Sequence, residues 1–248
     1  MCYGNESSPP EHGVGGEVAS EEDLVLTSAD GTRFQARLAR PADPNGKGVV
    51  ILPDVRGLYS FYCALARKFA EAGIEAIAID YFGRTAGTDP RPADFDWQSH
   101  LRQVDFDKVS VDAAQAIAHL RALGTVTSVF TVGFCFGGSM SWRQSAEQEG
   151  LAGAIGFYGA PGRVGAGGTI VPRMKAPLLM LLAGADVVPA EDHAALQEEL
   201  EQHGIQRRVV TYEGAPHSFF DRTYDEWQEA CSDSWRQMFA FMKDPAAA

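Results

Sequence analysis

The sequence contains no run of 18 apolar residues, so no membrane-spanning helix is expected. Its first residues carry neither a basic stretch nor an apolar one, and no signal peptide is expected. Cysteine is sparse. Cys2, Cys63, Cys135 and Cys231 are scattered, with no CxxC pair and no Cys/His cluster. Neither a disulfide framework nor a metal site is indicated, and no cofactor is called for. A reduced, cytoplasmic protein is the simplest reading. Positive charge is also short: 21 Lys and Arg against 33 Asp and Glu give a net charge of −12. No basic stripe is available to track phosphates, which argues against a nucleic-acid partner. An anionic substrate would need local arginines acting against the overall field. No internal repeat occurs, and nothing in the composition sets an oligomeric state.

What remains is an ordinary globular composition, 45% apolar over 248 residues, long enough to bury a sizeable core. Residues 1–16 are polar and rich in Gly, Pro and Ser, and read as a loose tail; residues 17–244 read as a single domain. Two alternating segments, 23–28 and 32–39, flank Ala29-Asp30-Gly31 and predict an antiparallel hairpin. Short, mostly apolar runs at 48–52, 74–79, 126–132, 151–158 and 176–183 predict buried strands, and 206–212 reads as a further strand. Helical spacing predicts helices from Ser60 to a stop at Gly73, and over 101–123, 139–148, 191–203 and 224–242. Loops are expected over 81–92 and 159–168. The alternation predicts an α/β fold, a mostly parallel, doubly wound sheet flanked by helices on both faces, with an antiparallel N-terminal edge. Ligands of such sheets bind beyond the carboxyl ends of the strands.

One hexapeptide stands out there: Gly133-Phe134-Cys135-Phe136-Gly137-Gly138. Strand, tight turn and helix with a cysteine at the turn is the pattern of a nucleophile elbow, G-x-[SC]-x-G. Flanking glycines remove Cβ atoms that would clash, and the following helix directs its N–H groups at the sulfur, favouring thiolate. In hydrolases of this architecture the partners follow in the order acid, then histidine. Asp186 follows a strand in Gly184-x-Asp186, and His217 follows the last strand. The other histidines sit in the tail or on helical segments. His217 is the expected base and Asp186 its orienter, with N-capping the competing role for Asp186. Oxyanion donors are expected from the N–H of Phe136 and from the loop after the 48–52 strand, at Val55.

The chain resembles the dienelactone hydrolases, a cysteine-dependent branch of the α/β-hydrolases. The matching pieces are Asp80-Tyr81-Phe82-Gly83-Arg84, the elbow, Phe157-Tyr158-Gly159, Gly184-x-Asp186 and His217-Ser218-Phe219, spread over residues 23–241. The resemblance implies metal-independent hydrolysis of a small ester or lactone through a thioester acyl-enzyme. The family's usual substrate is a small anionic dienelactone. By the same resemblance Arg84 would bind a substrate carboxylate, a task that suits a forked guanidinium. Tyr158 and Ser218 would line the substrate site. Two positions depart from the family pattern. Asp54 stands where a longer Glu is usual, able to help activate the nucleophile or to bind a backbone amide or Arg56. Asp221 stands four residues after the histidine, where an arginine is frequent; Arg56 and Arg222 are the candidates to replace it.

Two rivals use the same residues. A thioesterase or acyltransferase would employ the same triad with another acceptor. A ligand-binding or redox-sensing protein would keep the fold and an accessible, low-pKa cysteine without turnover.

Overall fold

The computed structural model describes residues 3–4, 6–92, 94–164 and 168–247. The chain divides into two compact units, one formed by residues 14–129 and the other by residues 1–13 together with 130–248.

In the unit of residues 14–129, β1 (Val18–Thr27) and β2 (Arg33–Pro41) form the expected hairpin, with Leu26 opposite Phe34. β2 pairs antiparallel with β4 (Glu75–Ile79), and β4 pairs parallel with β3 (Lys47–Leu52). Val49 to Leu52 are wholly inaccessible to solvent, each contributing roughly 1.5–3 kcal/mol of apolar burial. A run buried on both faces has no alternation to show, which is why β3 reads as continuous. β4 carries a buried charge, Glu75, gripped by Arg40 through Nε and Nη2 at 3.2 Å each and by the Thr125 hydroxyl at 2.7 Å. α1 (Ser60–Glu71) buries Phe61, Tyr62, Leu65, Ala66 and Phe69 against β2 and β4.

The helix expected over 101–123 is two. α3 (Trp97–Leu101) ends before Asp105, whose side chain accepts from the N–H groups of Asp107 and Lys108 and so starts α4 (Phe106–Ala122) afresh. Apolar spacing runs through the break, but the cap decides the boundary. The 81–92 loop also contains one short turn of helix, α2 (Gly83–Ala86).

In the other unit four strands run parallel in the order β5 (Ser128–Phe134), β6 (Gly153–Phe157), β7 (Leu178–Ala185) and β8 (Arg207–Pro216). The first two residues of β5 precede the unit boundary. α5 (Phe136–Glu147) packs on β6, α6 (Ala190–Gln202) connects β7 to β8, and α7 (Gln228–Lys243) packs on β7. Short 3-10 turns occur at Pro161–Arg163, Val171–Arg173, Asp225–Trp227 and Pro245–Ala247. Residues 165–167 of the expected glycine-rich loop, and Met1, Cys2 and Asn5 of the expected tail, lie outside the described residues.

The rest of the expected loose tail is docked. The Trp235 indole donates to the Pro10 carbonyl at 3.0 Å, and His12 stands edge-on to Trp235 and Phe239. The Arg222 N–H donates to the Ser8 carbonyl at 2.9 Å. Composition points to disorder because few apolar residues are present; Tyr3, Pro9 and Pro10 are nonetheless buried. Among the described residues no helix is long and apolar enough to cross a membrane.

Asp105→Ala removes the cap of α4 at an exposed position. It should lower unfolding stability by about 1 kcal/mol, read as a shifted urea midpoint, with hydrolytic activity unchanged.

Candidate active site

β5 carries the chain straight into Cys135, whose φ of +57° and ψ of −115° leave both strand and helix. A side-chain-bearing residue in this left-handed region costs on the order of 1–3 kcal/mol and persists only when its surroundings over-determine it. They do so here. The Cys135 N–H donates to the Phe157 carbonyl at 3.0 Å, and the Cys135 carbonyl accepts from Gly138 at 3.0 Å and Ser139 at 3.3 Å. A Cβ on Gly133 would lie 1.8 Å from the Gly137 carbonyl oxygen, and one on Gly138 would lie 2.4 Å from the Phe157 oxygen. Both glycines are therefore demanded by close backbone approach. α5 begins at Phe136, three residues earlier than the apolar pattern predicts, so Gly137 and Gly138 form its first turn. Their poor helix propensity hides that turn from a sequence reading. The consequence is chemical: Cys135, half-buried, occupies the N-cap of α5 and faces the positive end of its dipole.

β7 and β8 deliver the other two residues. Their register shifts between Ala183 and Ala185 and brings Pro216 opposite Ala185. The next residue on each strand is Asp186 and His217, so the pairing sets them side by side. His217 Nδ1 lies 2.8 Å from Asp186 Oδ1. The Asp186 side chain is 2% exposed and that of His217 10%. Burial pushes the Asp186 carboxyl up, but the His217 hydrogen bond and charge outweigh it, aided by the N–H groups of Val188 and Val187. The net pKa lies below the usual carboxylate range. Asp186 does not cap α6: the N-cap there is Pro189, with no side-chain cap bond.

Tyr158 follows β6 with φ +37°, its N–H donating to the Leu181 carbonyl at 2.9 Å. Its ring centroid is 4.7 Å from that of His217. Ser218 is buried and also left-handed, at φ +66°. Cys135, Phe136, Tyr158, Asp186, His217 and Ser218 thus all belong to one unit. So does a residue with no sequence signal, Tyr3, whose hydroxyl hydrogen-bonds that of Tyr158. It sits in a segment whose composition reads as tail.

Asp54, Val55 and Arg84 belong to the other unit. Val55 lies buried in the loop after β3. Asp54 is 1% exposed and held by Arg56: Nη2 to Oδ2 at 3.0 Å, Nε to Oδ1 at 3.3 Å, and the Arg56 N–H to Oδ1 at 2.9 Å. Of its expected roles, the structure shows the Arg56 and backbone-amide partners. Arg84, the expected carboxylate clamp, directs one or more donors of each Nη to internal partners. Nη1 pairs with Asp30 at 2.7 Å and contacts the Thr32 hydroxyl; Nη2 pairs with Asp112 at 2.6 Å. Two carboxylates already offset its charge, and a third would meet a negative surrounding. Arg222 pairs with Glu11 at 3.5 Å. Asp221 accepts from the N–H groups of Ser8 and Thr223, at 3.3 and 3.0 Å.

A parallel sheet with a cysteine elbow and a buried Asp–His pair at its strand ends defines an α/β-hydrolase. The chain belongs to the dienelactone hydrolase family, whose sequence profile matches residues 34–245, and it is a hydrolase. Carboxymethylenebutenolidase of Rhodococcus opacus is 25% identical over 256 residues, covering 98% of this chain and 96% of the relative. A crystal structure from Klebsiella pneumoniae shares the fold at TM-score 0.75 and 22% identity, covering 91% of this chain and 98% of that one. So does a dienelactone hydrolase-like promiscuous phosphotriesterase from metagenomic libraries, at TM-score 0.67 and 21% identity, covering 88% and 99%.

Two outcomes are expected. Because the Asp186 pKa is lower folded than unfolded, its contribution to stability is present above the ordinary carboxylate value, about pH 4, and is lost as pH falls through the folded value. In urea unfolding, Asp186→Asn should be less stable than wild type at neutral pH, with the gap closing in acid. Arg84→Gln should lower the thermal midpoint and change hydrolysis of neutral and carboxylate-bearing esters by the same factor. A loss confined to carboxylate-bearing esters would return Arg84 to the clamp role.

Proposed function

We propose that this hydrolase cleaves a small ester or lactone through a thioester on Cys135, with His217 as general base and Asp186 as its orienter. The observation that carries the reading is the 2.8 Å contact of His217 Nδ1 with a buried, ionised Asp186, in the same unit as a left-handed cysteine at a helix N-terminus. With Nδ1–H donated to Asp186, the imidazole keeps Nε2 as acceptor. Nε2 takes the Cys135 thiol proton as the thiolate attacks the substrate carbonyl carbon. The carbonyl π electrons move onto oxygen, and Asp186 stabilises the imidazolium that forms.

The tetrahedral oxyanion accepts from the Phe136 N–H, which lies at the start of α5 where the helix dipole favours an anion. Collapse breaks the C–O bond of the ester, and the departing alkoxide takes the proton from Nε2. For a lactone the new hydroxyl stays tethered to the acyl group. Water then attacks the thioester, giving a proton to His217. Collapse expels the Cys135 thiolate, which recovers that proton, and the carboxylic acid leaves. Loss of one oxyanion donor typically costs roughly 3 kcal/mol of transition-state stabilisation.

The test is hydrolysis of p-nitrophenyl acetate and a panel of lactones. Cys135→Ala should be folded by circular dichroism and at least about a thousandfold slower. Wild type should accumulate an acyl-enzyme heavier by the acyl group in rapid-quench mass spectrometry, at the peptide containing Cys135. A folded Cys135→Ala protein with wild-type turnover would refute the assignment.

A further inference from the structure

The hydroxyl of Tyr3 hydrogen-bonds the hydroxyl of Tyr158, and Tyr3 is itself only 2% exposed. This contact joins residues 155 positions apart. The Tyr158 ring lies 4.7 Å from the His217 ring, tilted by 54°. The Tyr3 ring stands edge-on to Phe134, 6.4 Å away, and Phe134 is the residue immediately before Cys135. One side chain therefore touches both the wall beside the histidine and the strand end that carries the cysteine.

The segment bearing Tyr3 is anchored at three further points. Ser8 is held from both sides, its carbonyl by the Arg222 N–H and its own N–H by Asp221 Oδ1. Pro10 holds the Trp235 indole, and His12 packs on Trp235 and Phe239. Asp221 and Arg222 lie only four and five residues after His217, so the anchor and the histidine share one loop. Tyr158 needs such support. It is held at φ +37°, a backbone region disfavoured for a bulky residue, and its side chain packs at the site rather than within a strand.

We propose that Tyr3 is a positioning residue of the hydrolytic site: by fixing Tyr158 it holds the His217 imidazole in line with Asp186. The role rests on the reading of His217 as the base, but its test does not depend on that reading alone. Tyr3, Ser8, Pro10 and His12 are, on this view, the fixed points of a strap on the active-site unit. The strap makes its site contact through a phenol, because only a long side chain with a terminal hydroxyl reaches the Tyr158 hydroxyl while keeping its ring against Phe134.

The experiment compares Tyr3→Phe, Tyr158→Phe and the double variant with wild type. Tyr3→Phe keeps the ring and the strap and removes one hydroxyl. It should lower kcat for p-nitrophenyl acetate about threefold to tenfold, the range of one hydrogen bond, with KM within about twofold and a thermal midpoint lowered by no more than about 4 °C. Tyr158→Phe should give the same fall, and the double variant no further fall, since both remove one shared interaction. The His217 ring-proton NMR signal, assigned by its loss in His217→Gln, lies under the ring current of Tyr158 and should shift in Tyr3→Phe. A Tyr3→Phe protein with wild-type kcat and an unmoved His217 signal would overturn the proposal. So would effects of Tyr3→Phe and Tyr158→Phe that multiply. Full activity of Cys135→Ala would instead refute the nucleophile assignment, while the His217 signal would still report on Tyr3.

Discussion

The site depends on one backbone torsion. At φ +57° Cys135 stands outside the geometry of the strand before it and the helix after it, and every nearby close contact serves to keep it there. A helical Cys135 would lie within α5 as an ordinary first-turn residue. An extended one would prolong β5, its side chain alternating with those of Phe134 and Gly133. Only the intermediate, strained conformation leaves the sulfur at the sheet's carboxyl edge with a helix start behind it. The strain, on the order of 1–3 kcal/mol, is small against the burial of the strands that impose it. It is nonetheless intolerant of nearby volume, because Gly133 and Gly138 face carbonyl oxygens that cannot move without breaking the turn.

The second half of the site comes from strand register rather than strain. Asp186 and His217 are 31 residues apart and meet because β7 and β8 pair in parallel with a shift that brings Ala185 opposite Pro216. Nothing local to either residue produces the contact. Once made, it governs the chemistry of both. Burial pushes the Asp186 carboxyl up; the histidine and two backbone N–H groups outweigh it and hold its pKa below the usual carboxylate range. An ionised, buried carboxylate fixes the neighbouring imidazole as an Nδ1–H tautomer and stabilises its protonated form. Fold and acid–base chemistry are thus linked through one register shift.

The strands were legible because buried parallel strands read as continuous apolar runs, and 48–52 matches β3 almost residue for residue. Asp186 and His217 were legible because a chain that alternates strand and helix exposes its chemistry at strand ends. What escaped has physical causes. The start of α5 was hidden by glycines that a close approach requires, and the break between α3 and α4 by a single capping aspartate within an unbroken apolar pattern. Arg84 looks like an anion-binding arginine in sequence. Its partners Asp30 and Asp112 lie 54 and 28 residues away, and no spacing rule connects them. The docked segment escaped because a handful of side chains, Tyr3, Pro10 and His12 among them, anchor it, too few to alter its composition.

The two departures from the family pattern follow a common logic. Asp54, in place of a longer acid, is gripped by the Arg56 side chain and amide. Asp221, in place of an arginine, accepts the N–H of Ser8 and so holds the segment that carries Tyr3. Each is a buried carboxylate with its charge or lone pairs satisfied inside its own unit. Arg84 is likewise paired to two carboxylates, Asp30 and Asp112. Arg222 is more than half exposed and pairs with Glu11. A net charge of −12 sets an overall field that opposes the approach of an anion. The residues proposed for catalysis are placed by other means: Cys135 by the elbow, Asp186 and His217 by the β7–β8 register. The Asp186–His217 contact and the Asp54 and Arg84 ion pairs therefore arise from separate constraints, each settled within its own unit.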